Sequence, residues 1–70
     1  MNRTPVSSSN LSSVGYDADT QTLEIEFNDG SVYQYSNVPT NIYEGLISAP
    51  SHGKYFHRNI RDSFNYTQIR

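Results

Sequence analysis

Apolar and acidic residues alternate along "TLEIEF", where Leu23, Ile25 and Phe27 are separated by Glu24 and Glu26. Successive side chains of a strand point to opposite faces, so this segment predicts a β-strand with one apolar and one acidic face. Residues 11–16 carry a thinner version of the same period, with Val14 and Tyr16 on one side, and the polar, turn-forming "DADTQ" joins the two runs. After Phe27 comes "NDGSVYQYSNVP", and the length of its turn decides where two tyrosines go. A two-residue Asp29-Gly30 loop would set Phe27 opposite Val32 and leave Tyr33 and Tyr35 opposite the glutamates. A three-residue loop, Asn28-Asp29-Gly30 with Gly30 left-handed, pairs Phe27 with Ser31, Ile25 with Tyr33 and Leu23 with Tyr35. The second register is preferred. It gathers Leu23, Ile25, Phe27, Tyr33 and Tyr35 on one face, whereas the first divides the aromatic surface from the aliphatic one. Tyr33 and Tyr35 are therefore expected to be fold-defining core residues.

Past Pro39 the period changes. Ile42, Tyr43, Leu46 and Ile47 recur at helical spacing and predict a short helix over about 39–48, capped by Asn37 or Thr40. Pro50 stops it, and Ser51 is placed to cap a second helix over about 51–61 whose buried side carries Phe56 and Ile60. Residues 1–7 are polar and expected to be flexible, with 8–70 forming a single domain. The predicted class is α+β: a three-stranded antiparallel sheet followed by two short helices packed on one face.

A chain of 70 residues can bury roughly 60% of the surface its extended form exposes, so most larger apolar side chains belong to one core. Without cysteine there is neither a disulfide framework nor a thiolate zinc site. The apolar runs fall far short of the ~20 residues of a membrane span, and the polar start has no signal-peptide segment. A soluble, cytoplasmic protein without membrane contact is expected. The net charge of −2 conceals a division along the chain. Residues 1–50 hold Arg3 against Asp17, Asp19, Glu24, Glu26, Asp29 and Glu44; residues 51–70 hold Lys54, Arg58, Arg61 and Arg70 against Asp62 alone.

That basic half draws attention to the second helix, where Lys54, Arg58 and Arg61 share one arc, His57 lies beside them and Tyr55 sits at the margin. Such a ridge can neutralise consecutive phosphates while Tyr55 stacks on a base. It can also meet an acidic protein partner, attract the chain's own acidic half, or simply stay solvated. Lys54, Tyr55, His57, Arg58 and Arg61 are the candidate nucleic-acid-binding residues. Gly53-Lys54 lacks the spacing of a nucleotide-cradling loop, and His52 and His57, five residues apart, do not share a helical face for a metal. The serines lie outside any nucleophile-elbow pattern. Catalytic, cofactor and metal sites are not expected, and the chain is not read as an enzyme.

Three strings, "SSNLSSVGYD", "TLEIEFNDGSVYQYSNVP" and "IYEGLISAPSHGKYFHRNIRDSFNY", together resemble the KTSC family. This domain is named for the C-terminus of some lysyl-tRNA synthetases and also occurs as a free-standing small bacterial protein. The resemblance spans roughly 8–66. It rests on Tyr33-x-Tyr35, Val38-Pro39, and Ser51-x-Gly53-Lys54-x-Phe56 with Asn59-Ile60-Arg61. It implies a free-standing bacterial member with no established active site, and attachment to synthetases suggests association with RNA. The alternative expectation is a protein-interaction module without enzymatic activity, docking an acidic or sheet-edge partner; nothing in the sequence points to an oligomeric state.

Overall fold

A computed structural model describes residues 2–70. In chain order its elements are β1 (Arg3–Pro5), β2 (Leu11–Asp17), β3 (Thr22–Phe27), β4 (Val32–Tyr35), α1 (Thr40–Ser48), α2 (His52–Asn59) and β5 (Tyr66–Gln68). The described residues form a five-stranded antiparallel sheet in the order β1-β2-β3-β4-β5. This corrects the expected three-stranded sheet. The predicted meander is its centre, and an extra strand flanks it on each side. The helices are not the end of the fold, because the chain returns after α2 to pair Tyr66 with Tyr35 and Gln68 with Tyr33.

Both extra strands are three residues long and largely exposed. Neither has an apolar alternation to announce it. Their order comes from main-chain bonds to a neighbour that the core has already fixed, as where Ile69 N donates to Val32 O at 2.8 Å and Val6 N to Ser12 O at 3.1 Å.

The central register is the one the three-residue turn requires. Ile25 pairs with Tyr33 and Leu23 with Tyr35, Phe27 N donates to Ser31 O at 2.9 Å, and Gly30 takes a φ of +90°. On β2 an irregularity between Leu11 and Ser13 returns Leu11 to the face of Val14 and Tyr16. The core on this face comprises Leu11, Val14, Leu23, Ile25, Tyr35 and Val38, closed by Leu46 of α1 and by Phe56 and Ile60 of α2 and its end.

Neither Asn37 nor Thr40 caps α1; Pro39 takes the cap position with no side-chain bond, and Asn37 turns the chain at a φ of +59°. At α2 the expected cap forms, with Ser51 Oγ accepting from Lys54 N at 3.3 Å. This helix stops at Asn59, short of 61, because Ile60 N and Arg61 N both bond to Phe56 O at 2.9 and 3.0 Å. His52 Nδ1 lies 2.7 Å from Leu46 O and donates to it, tying the last turn of α1 to the start of α2.

The opposite face of the sheet has no helix over it, yet its carboxylates are not free. Arg3 Nη1 meets Glu24 Oε2 at 2.8 Å, and Gln34 Nε2 donates to Glu24 Oε1 at the same distance. Glu26 accepts from Ser13 Oγ at 3.0 Å and from Arg70 Nη2 at 2.6 Å. Both arginines belong to the outer edges of the sheet, Arg3 on β1 and Arg70 just beyond β5, so each edge is pinned by charge as well as by backbone bonds. Glu24 is only 7% exposed, and among the described residues no buried side-chain nitrogen or oxygen lacks a partner.

Replacing Arg3 with alanine leaves the nearly buried Glu24 carboxylate with Gln34 alone. Urea denaturation should show a loss of roughly 1–3 kcal/mol, the penalty for under-satisfying a buried charged group. An unchanged midpoint would mean that the Arg3–Glu24 pair adds nothing to stability.

Candidate functional site

The two helices do not cover the whole apolar face. Phe56 of α2 packs edge-on against Phe27 and Tyr35, with ring centroids 5.4 and 5.5 Å apart, and the sheet beyond it toward β5 stays open. The result is a groove of about 990 Å³ alongside α2. Its floor is aromatic. Tyr33 lies 5.5 Å from Tyr66, Tyr35 lies 5.6 Å from Tyr66, and Phe27 meets Tyr33 edge-on at 5.5 Å. One wall carries Lys54, His57, Arg58 and Arg61, and the loops before β2 and between β3 and β4 contribute Asn10, Asn28 and Asp29 to the lining.

Four of the five candidate residues thus meet in one place. Arg61 lies past the end of the helix but folds back, its Nη1 3.1 Å from His57 Nδ1. A guanidinium can only donate, so Nδ1 accepts in this contact. Tyr55 goes elsewhere. It is half-buried against α1, where its ring fills the space a side chain at Gly45 would need, with Cζ 2.6 Å from an added Cβ. It borders a second, smaller hollow of about 330 Å³ with Pro50 and Asn59, which Lys54 and Arg58 also line. Gly53, whose added Cβ would lie 3.1 Å from Asn10 Nδ2, lets the start of α2 approach the loop before β2.

Tyr35, Phe56 and Ile60 lie in the core, at 3%, 7% and 0% exposure. Tyr33 has two roles, since it packs on the core and also floors the groove. Tyr66, 58% exposed, escaped sequence reasoning altogether. Its only signal is an aromatic side chain in a polar C-terminal segment, and what places it in the groove is pairing with β4.

The electrostatics of the two faces differ. All ion pairs among the described residues join Arg3 or Arg70 to Glu24 or Glu26 on the far face, and none involves Lys54, Arg58 or Arg61. The acidic half of the chain therefore does not take up the basic helix. Within the groove these three cations face two carboxylates, Asp29 and Asp62. Burial pushes the Tyr35 phenol up to about 12, and neighbouring Tyr33 and Tyr66 add to the effect while Arg61 opposes it. Among the described residues there is no His, Asp or Glu cluster able to hold a metal, and no helix is long and apolar enough to cross a membrane.

A five-stranded sheet with two helices on one face and an aromatic, basic groove beside the second helix defines a small α+β domain of a recognised type. The KTSC domain family matches residues 7–64, and the chain belongs to that family. A lysine–tRNA ligase from Trichormus variabilis is 50% identical to it over 54 residues, which are 77% of this chain and 10% of the ligase. The chain thus spans about a tenth of the length of that relative. An uncharacterised protein from Stutzerimonas stutzeri is 41% identical over 58 residues, covering 83% of this chain and 82% of that one. The crystal structure of a KTSC domain protein from Yersinia pestis matches with a TM-score of 0.93 and 41% identity, over 99% of this chain and 97% of the other.

The raised phenol makes an alkaline prediction. Between pH 10 and about 12 the unfolded chain ionises Tyr35 while the folded one keeps it protonated, so this group's contribution to stability is intact below pH 10 and is lost across that window. Ultraviolet difference titration should detect one phenol ionising well after the exposed ones, and Tyr35→Phe should remove it. A Tyr35 that ionises along with Tyr66 would contradict the packing described.

Proposed function

We propose that the chain is a binding module that takes single-stranded RNA in the groove beside α2, weakly and with strong dependence on salt. The observation that carries this reading is the juxtaposition of an open aromatic floor, Tyr33 and Tyr66, with three cations that have no ion-pair partner among the described residues, Lys54, Arg58 and Arg61. Single strands are held by that combination: aromatic rings stack on unpaired bases while basic groups follow the phosphates. Relatives named as lysine–tRNA ligases support RNA as the partner, since a domain carried by such an enzyme has tRNA nearby. Stacking falls to Tyr33 and Tyr66 rather than to Tyr55, which is engaged with α1. The sheet-edge alternative is less favoured. Both edge strands are three residues long, and Pro5 removes a donor from β1.

Fluorescence anisotropy with a short mixed-sequence RNA tests this reading. Three phosphate contacts give a slope of about −2 in log affinity against log salt, or roughly a twentyfold loss for a fourfold rise in salt. Tyr66→Ala should weaken binding by about 1–3 kcal/mol without unfolding an exposed position, and the triple change Lys54→Ala, Arg58→Ala, Arg61→Ala should abolish most of the affinity. Unchanged affinity in the triple variant would rule out this groove as the RNA site.

A further inference from the structure

One acidic group in this basic groove is fixed in place. Asp29 stands at the turn between β3 and β4, and its Oδ1 accepts from Ser31 N at 3.0 Å and from Ser31 Oγ at 2.6 Å. These bonds, the side-chain one foremost, hold its carboxyl below the usual range, so the group is a carboxylate at neutral pH. They occupy one oxygen and leave Oδ2 without a hydrogen bond from the described residues. Asp62, the other carboxylate of the groove, has no such bonds among the described residues. Ser31 and Tyr33 line the same groove as Asp29, so a preset acceptor and a stacking ring share one groove.

A carboxylate repels phosphate and accepts hydrogen bonds from donors. The bases differ in what they offer it. Guanine presents N1–H and an amino group side by side, whereas uracil presents one N–H between two carbonyl oxygens that a carboxylate would repel. Building on the RNA reading above, we propose that Asp29 is a specificity-determining residue: its Oδ2 accepts from the amino-bearing edge of a base held in this aromatic groove, so that the groove selects guanine over uracil.

The test compares a labelled oligouridine with the same oligomer carrying one central guanosine, by anisotropy at low salt. The wild-type chain should bind the guanosine oligomer about tenfold more tightly, the scale of one hydrogen bond to a charged acceptor. Asp29→Asn keeps an oxygen for Ser31 to donate to, so the turn survives, as an amide correlation spectrum will verify. This variant should lose the guanosine preference while binding oligouridine at least as tightly as wild type, because a negative charge has left a basic groove. Equal wild-type affinities, a preference that survives Asp29→Asn, or a variant that loses both ligands alike would each overturn base selection by Asp29 while leaving the groove as an RNA site. If neither oligomer binds the wild-type chain at low salt, the RNA reading itself fails and the inference falls with it.

Discussion

The pairing register of β3 with β4 is the constraint on which the rest of this structure depends. Gly30, at a φ of +90°, closes a three-residue turn that sets Ile25 beside Tyr33 and Leu23 beside Tyr35. A slip of one residue would move every β4 side chain to the other face. The tyrosines would then lie against Glu24 and Glu26, Val32 would be thrust among the aromatic rings, and β5 would lose its present partners. The core and the groove floor follow from the same turn.

Fixing the faces also separates the charges. Both central glutamates fall on the helix-free face, where Arg3 and Arg70 neutralise them from opposite edges of the sheet. The basic residues of α2 fall over the other face and keep their charge available. A domain of this size has little interior to spare, and it uses one face of the sheet for a polar network and the other for both core and groove. β5 links the two functions: Tyr66 contributes to the aromatic floor, and Arg70, at the end of the same segment, clamps onto Glu26 through the sheet's back face.

The features legible in the sequence were those with their own local code. The alternation from Leu23 to Phe27, the Asn28-Asp29-Gly30 turn, Ser51 as a cap, and Phe56 and Ile60 as the buried side of α2 all follow from periodicity or turn chemistry. β1 and β5 carry no such code, because three largely exposed residues are ordered only by a neighbour already in place. Half of the candidate site was legible for the same reason. Lys54, His57, Arg58 and Arg61 could be brought together by helical spacing, although Arg61 achieves it through a backfolded turn. Tyr55 could not be placed, since its direction is set by Gly45 on another helix, and Tyr66 could not be found, since its position depends on a strand that returns from 31 residues downstream of its partner Tyr35.

The measurement that bears most directly on the groove as the RNA-binding surface is an NMR titration of the labelled chain with short single-stranded RNA, at low salt and again at higher salt. The account predicts saturable, salt-sensitive shifts in the rings of Tyr33 and Tyr66 and along Lys54, Arg58 and Arg61, with the resonances of Glu24 and Glu26 unmoved. Shifts centred on the glutamate face, or the absence of saturable shifts at low salt, would contradict it.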